Sequence, residues 1–266
     1  MCMAEMGVHW PSIPSEDRIW ERTSSWFDDR RLAVSYNSKD TMVRRTQYGG
    51  TAIMAINAMA NKVYKCGYDN SGLGRWSWMV IQGKYNTFTR IVSAYCPVKS
   101  TAKGTKGQYT VYAQQLQHWE KDPIAKFWED LGNQLLQWRD NEENLIICGD
   151  WNTSITSPTL RGFMSVYGLQ EAITYVHGQN PPPTYHRGQD SIDGIFVSRN
   201  FLGIQGGYLE YGDAPGDHRG IWVDIPHTTL FGHKMPNVPP KQIRNLQCRH
   251  SKSTKRYTEE GIFCNL

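Results

Sequence analysis

Hydrophobic positions along this chain fall into short runs punctuated by Gly, Asn and Asp. Seven runs, at 32–36, 51–57, 77–81, 89–95, 145–148, 191–197 and 220–225, are rich in Val, Ile, Thr and aromatic residues and read as strands. The 51–57 run alternates Ala with Ile or Met, so apolar side chains line both of its faces, as in a strand covered on both sides. A different period governs the 122–138 segment. There Ile124, Phe127, Leu131, Leu135 and Trp138 recur at helical spacing, Asp122 suits the N-cap and Pro123 the first turn. This helix should end within 140–144, just before the 145 strand. Less regular helical patterns occupy 109–119, 157–167 and 18–27. Strands interleaved with a few helices predict an α/β architecture in which two sheets pack together beneath outer helices.

The 266 residues suffice for one large domain, or one domain and a tail. From about His227 the pattern dissolves into Pro, Gly, Asn, Lys and Arg, which divides the chain into a domain at 1–226 and a basic linker or tail at 227–266. The net charge of +4 follows the same division: the last forty residues hold seven Lys or Arg against two Glu, leaving the body nearly neutral. Attraction of the body for a polyanion must therefore come from local patches. No apolar run approaches the roughly 20 residues that span a bilayer, and the opening residues lack a basic and apolar leader pattern, so an intracellular location, the nucleus included, is expected. The six cysteines show no C-x-x-C pair and read as free thiols.

The chemistry concentrates at strand ends. Cys148-Gly149-Asp150-Trp151-Asn152 closes an apolar run and sets a carboxylate and an amide two residues apart, on one face of an extended segment. Tyr95 closes another run, Asp193 lies in a third, and Asp217 with His218 precedes the last. Glu5 stands near the start. There is no P-loop, no nucleophile elbow and no Ser-His-Asp spacing. Several carboxylates with a phenol, an amide and an imidazole suit metal-assisted hydrolysis of a phosphate ester, with Mg²⁺ (or Mn²⁺) as the hard cation that such oxygens favour. For substrate, Arg75 and Trp76 after the Gly72-Leu73-Gly74 turn could stack or enter a groove. Lys99, Lys103 and Lys106, in a polar loop beyond Tyr95, could grip a phosphate backbone. His186 and Arg187 are further candidates for substrate contact.

In order, Ala-Glu, Tyr-x-Pro, Gly-Asp-x-Asn, Ile-Asp-x-Ile-Phe-Val-Ser and Asp-His-Arg resemble the motifs of the endonuclease/exonuclease/phosphatase (DNase I-like) superfamily. The likeness runs from about Glu5 to Ile225. It implies a four-layered α/β sandwich, two mainly antiparallel sheets flanked by helices. It implies Glu5 as a metal ligand with Asp217 as a second metal contact, and Asp150 as the group that positions or activates water, with Asn152 beside it. Tyr95 and His218 would contact the scissile phosphate, and Asp193 would orient His218. Trp10 followed by Asp17-Arg18, Glu21-Arg22-Thr23 and Trp26-Phe27 is similar to retroelement endonuclease domains, which implies a DNA-cutting phosphodiesterase and fusion to, or association with, a reverse transcriptase. The alternatives are a non-catalytic remnant that keeps the fold and a lipid or small-molecule phosphatase on the same scaffold. The family's opening strand with its Asn has no counterpart before Glu5, and Val98 stands where the family's Tyr-x-Pro is often followed by Asn.

Overall fold

A computed structural model describes residues 1–41, 46–99, 108–116, 122–178 and 180–232. Its strands are β1 (Cys2–Met3), β2 (Arg30–Ser35), β3 (Thr51–Ile56), β4 (Val63–Tyr68), β5 (Trp76–Gln82), β6 (Phe88–Tyr95), β7 (Asn144–Asp150), β8 (Leu169–Glu171), β9 (Asp193–Ser198), β10 (Gln205–Tyr208) and β11 (Ile221–Asp224). Its helices are α1 (Ile19–Arg22), α2 (Gln108–Gln115), α3 (Pro123–Asp140), α4 (Pro158–Val166), α5 (Ala172–His177) and α6 (His227–Phe231). Six strands form the central sheet in the order β4-β5-β6-β7-β9-β8, with only β6 and β7 parallel. A second sheet has the order β1-β3-β2, and β10 pairs with β11.

The β6–β7 parallel step needs a long crossover, and α3 supplies its helix. Asp122 caps α3 by accepting from the Ile124 and Ala125 amides. Its buried residues Phe127, Leu131, Leu135 and Trp138 are those of the sequence period. They meet Trp76, Val92, Ala94, Leu145, Ile147 and Phe196 of the central sheet, with Leu160 and Met164 of α4 beside them. Strand alternation sends the intervening residues to the opposite face. Ile81, Ile146, Ile195 and Val197 pack there with Leu230 and Phe231 of α6. Met79 and Ile91 meet Ala33, Ile53 and Ala55 of the second sheet. Apolar on both faces, β3 is almost wholly buried, as its Ala/Ile/Met alternation predicted. On the far side Arg30 of β2 donates to the Trp20 carbonyl and the Thr23 hydroxyl, holding the α1 segment. The result is the four-layered α/β sandwich expected from the sequence.

Some elements differ from expectation. The 18–27 pattern yields one α-helical turn, α1, followed by a 3₁₀ turn at Thr23–Ser25. The expected helix at 109–119 is helical as far as Gln115, and its last three residues lie outside the described residues. Past Pro226 the chain still belongs to the body: α6 buries Leu230 and Phe231. No helix among the described residues is long and apolar enough to cross a membrane.

Candidate active site

The register of the central sheet assembles the site. Tyr95 of β6 is paired with Asp150 of β7, and Asp150 with Asp193 of β9. Registered neighbours project to the same face. On β7, Asp150 shares the parity of Ile146 and Cys148, which lie on the face away from α3, with Cys148 against Cys2 of β1, so the three side chains stand in a row at the end of that face. Glu5 arrives from the other sheet. The Met3 carbonyl just before it accepts from the Ser93 hydroxyl at 2.8 Å, and the Met6 and Gly7 amides donate to Gly50 and Gly49. From the loop before β11 comes His218, whose Nδ1 lies 2.7 Å from the Asp193 carboxylate.

Ligand atoms of Glu5, Asp150 and His218 lie within 4.8 Å of one another, the one such cluster of three found among the described residues. The two carboxylates in that compass suit a hard divalent cation, with the imidazole standing beside them. Asp217, expected as a second metal contact, is exposed and stands outside this cluster, because it precedes His218 in the loop and faces outward. Tyr95 is buried and donates its hydroxyl to Glu5. Asn152 donates its own amide N–H to Asp150 at 3.0 Å and its side-chain N–H to the Cys96 carbonyl at 2.7 Å, which fixes the orientation of its amide group. Glu5 and Asn152 both have left-handed backbones, with φ of 49° and 48°. That conformation is uncommon outside glycine and costs of order 1 kcal/mol or more, so surrounding hydrogen bonds must enforce it at these two site residues.

Burial and crowding of negative charge set the protonation. Burial pushes Asp150 up to about 8, with Asp193 and Glu5 adding to the shift and the Asn152 amide and His218 opposing it. The hydrogen bond that His218 donates to Asp193 pushes His218 up to about 9, against its partial burial. Burial and the charges of Glu5 and Asp150 raise Tyr95 well above its ordinary value, keeping it a neutral donor.

The substrate contacts read from sequence fare differently. Arg75 and Trp76 are corrected: both are buried. Arg75 donates to Asp69 at 2.7 and 3.0 Å and to Asp130 at 2.9 Å, and its guanidinium lies over Trp76. Trp76 packs edge-on against Phe127 of α3. A buried arginine needs carboxylate partners, and these two come from elsewhere in the chain, which local sequence does not reveal. Lys99 is exposed, 5.7 Å from the Tyr109 ring. Lys103 and Lys106 lie outside the described residues. Sequence reasoning passed over Thr184, whose buried hydroxyl accepts from the amides of Ile192 and Asp193 and anchors the start of β9. It also passed over Tyr185, whose ring lies 5.1 Å from that of His218. Their only signal was their place just after Pro181-Pro182-Pro183.

Comparison with solved structures identifies the fold. The chain is similar to the 3′ phosphatase NExo from Neisseria, at 13% identity over 85% of this chain and 88% of that one, with a TM-score of 0.58. It is similar to the Xenopus laevis APE2 catalytic domain, at 14% identity over 84% and 82%, with a TM-score of 0.58. The human Nocturnin catalytic domain aligns at 15% identity over 84% and 80%, with a TM-score of 0.52. No protein-family model and no curated protein matches the chain. The fold is thus the DNase I-like α/β sandwich of these structures.

Proposed function

We propose that the chain is a divalent-metal-dependent phosphodiesterase acting on DNA, of the retroelement endonuclease type. One observation carries the hydrolytic reading: Glu5, Tyr95, Asp150 with Asn152, Asp193 and His218 come from five segments and converge at one end of the inter-sheet face. DNA as substrate draws support from one similar protein, Neisseria NExo, described in one structure as a 3′ phosphatase bound to a product DNA hairpin and in another as a 3′-5′ exonuclease. The retroelement assignment rests on the sequence motifs around Trp10–Phe27.

Glu5 and Asp150 would hold the cation, which when bound neutralises phosphate charge and stabilises the leaving oxygen. His218, held cationic by Asp193, donates to a phosphate oxygen and offsets the charge that builds up there. Asn152 has one side-chain N–H committed to Cys96 and offers the other to the phosphate. Asp150, beside the cation, would also take the proton of the attacking water. Tyr95 stays protonated and steadies Glu5.

The test is nicking of supercoiled plasmid with Mg²⁺ or Mn²⁺, beside Asp150→Ala and His218→Ala. Metal-dependent nicking by the unaltered chain, lost in both variants, supports the reading. No nicking, equal nicking by the variants, or hydrolysis of lipid or sugar phosphates without action on DNA overturns it.

A further inference from the structure

Beside the phosphate-handling cluster runs a connected series of rings, half-buried at His218 and Tyr185 and exposed at its far end. From His218 it passes to Tyr185 at 5.1 Å, to His186 at 6.2 Å and to Tyr211 at 6.4 Å. His186 and Tyr211 are open to solvent. Two loops supply the series, and several bonds brace them together. The Tyr211 hydroxyl donates to the Pro183 carbonyl at 2.8 Å, and Arg219 Nε donates to the same carbonyl at 3.1 Å. Arg219 also donates to the Leu209 carbonyl, and its guanidinium covers one face of Tyr211 at 4.0 Å. A backbone bridge joins Tyr185 to His218, and the His186 amide donates to the Asp217 carbonyl. Exposed aromatic rings held this firmly are preorganised for a flat ligand rather than left over from the core.

We propose that Tyr185, His186 and Tyr211, braced by Arg219, form a shelf that stacks one unstacked nucleobase flanking the phosphate held at His218. The shelf rests on the nuclease reading for the phosphate at His218. The ligand chemistry follows from the set: π faces with an adjacent guanidinium hold bases without reading their edges. His186 stands nearly perpendicular to both tyrosines, at 85° and 78°. Such a corner accepts a single splayed base but not the parallel stack of a duplex. The shelf thereby favours single-stranded or locally opened DNA over a regular duplex.

Binding separates the shelf from the chemistry. A fluorescein-labelled oligothymidylate is compared by anisotropy, in EDTA, with a base-free oligomer of the same length and charge built from tetrahydrofuran phosphates. The unaltered chain should bind the base-bearing oligomer about tenfold more tightly, the scale of one or two stacked bases. His186→Ala and Tyr211→Ala should bring that ratio towards one, while Tyr211→Phe, which keeps the ring, retains it. His186 is exposed and its side chain makes only ring contacts among the described residues, so this variant reports even where Tyr211→Ala fails to fold. A ratio near one in the unaltered chain, or a ratio preserved in both alanine variants, overturns the shelf. The comparison needs no turnover, so a chain that cuts no DNA sinks the proposed function without deciding the ratio.

Discussion

Replacing Asp193 by Asn tests the site's electrostatics most directly. His218 and Asp193 are 2.7 Å apart, with side chains only 25% and 16% exposed, so solvent screens the pair weakly. The hydrogen bond to Asp193 is the largest cause of the rise of His218 from 6.5 to about 9. At about 1.4 kcal/mol per pKa unit, that rise corresponds to roughly 3 kcal/mol of preference for the cation. Because the folded-state value is raised, this stabilisation is fully present below about 6.5 and is lost as pH climbs through about 9. In Asp193→Asn the partner is neutral and partial burial is opposed only by the charges of Asp150 and Asp217, so His218 should fall back towards its ordinary value. At pH about 7.5 its cationic population would drop about tenfold, and a phosphate-stabilising role would weaken with it. The assay is an NMR titration of the His218 ring protons in EDTA, paired with denaturation curves across the same pH range. A variant in which His218 still titrates near 9 refutes the account, as does an unaltered chain whose stability does not fall between about 6.5 and 9.

The remaining expectations concern the buried carboxylate, the corrected arginine and the core. Asp150 has its folded value raised to about 8, so in EDTA its contribution to stability declines as pH rises from about 4 through 8. Mg²⁺ should therefore raise the thermal midpoint more at the upper end of that range, and Asp150→Asn should abolish the increment. An equal shift in the variant would place the cation elsewhere. Arg75→Ala strands Asp69 in the interior and should cost about 3–5 kcal/mol in urea unfolding, with DNA affinity unchanged at temperatures where the variant is folded. A selective loss of DNA affinity would restore Arg75 to the substrate surface. Phe127→Ala empties a fully buried position between α3 and the central sheet and should cost about 3–5 kcal/mol by the same measurement. A loss below about 1 kcal/mol would show that this seam collapses freely.

Much of the site was legible because its residues stand at the ends of strands whose apolar runs are strong. Tyr95, Asp150 and Asp193 each extend a two-residue period, so the pattern that locates the strand also fixes which way the polar residue faces. Weak elements lacked that support. β4 reads Val-Tyr-Lys-Cys-Gly-Tyr and lies largely exposed at the sheet edge, where alternation has little to report. β10 contains Gly206 and Gly207, which have no strand propensity. Gly206 is required there because a Cβ would stand 2.5 Å from Ile173 Cδ1 and 2.8 Å from the Trp222 carbonyl oxygen. Arg75 misled for a related reason: beside an aromatic it looks like a nucleic-acid contact until Asp69 and Asp130 are brought to it by folding. Propensity and period are local, whereas burial is decided by partners far along the chain.

Glu5, the cluster's one member from the second sheet, depends on a very small element. β1 offers two paired residues to β3, supplemented by the Ser93 bond to Met3 and by the Met54 amide on the Met1 carbonyl at 2.8 Å. Opening so short a strand costs far less than unfolding the core, so completeness of the cation site is an equilibrium of its own within a folded molecule. The apparent affinity for the cation is the intrinsic affinity scaled by the fraction of molecules with β1 seated. A cation held by Glu5 and Asp150 would then serve as a clasp as well as a reagent, fastening the segment that carries Glu5 against Asp150 of the central sheet.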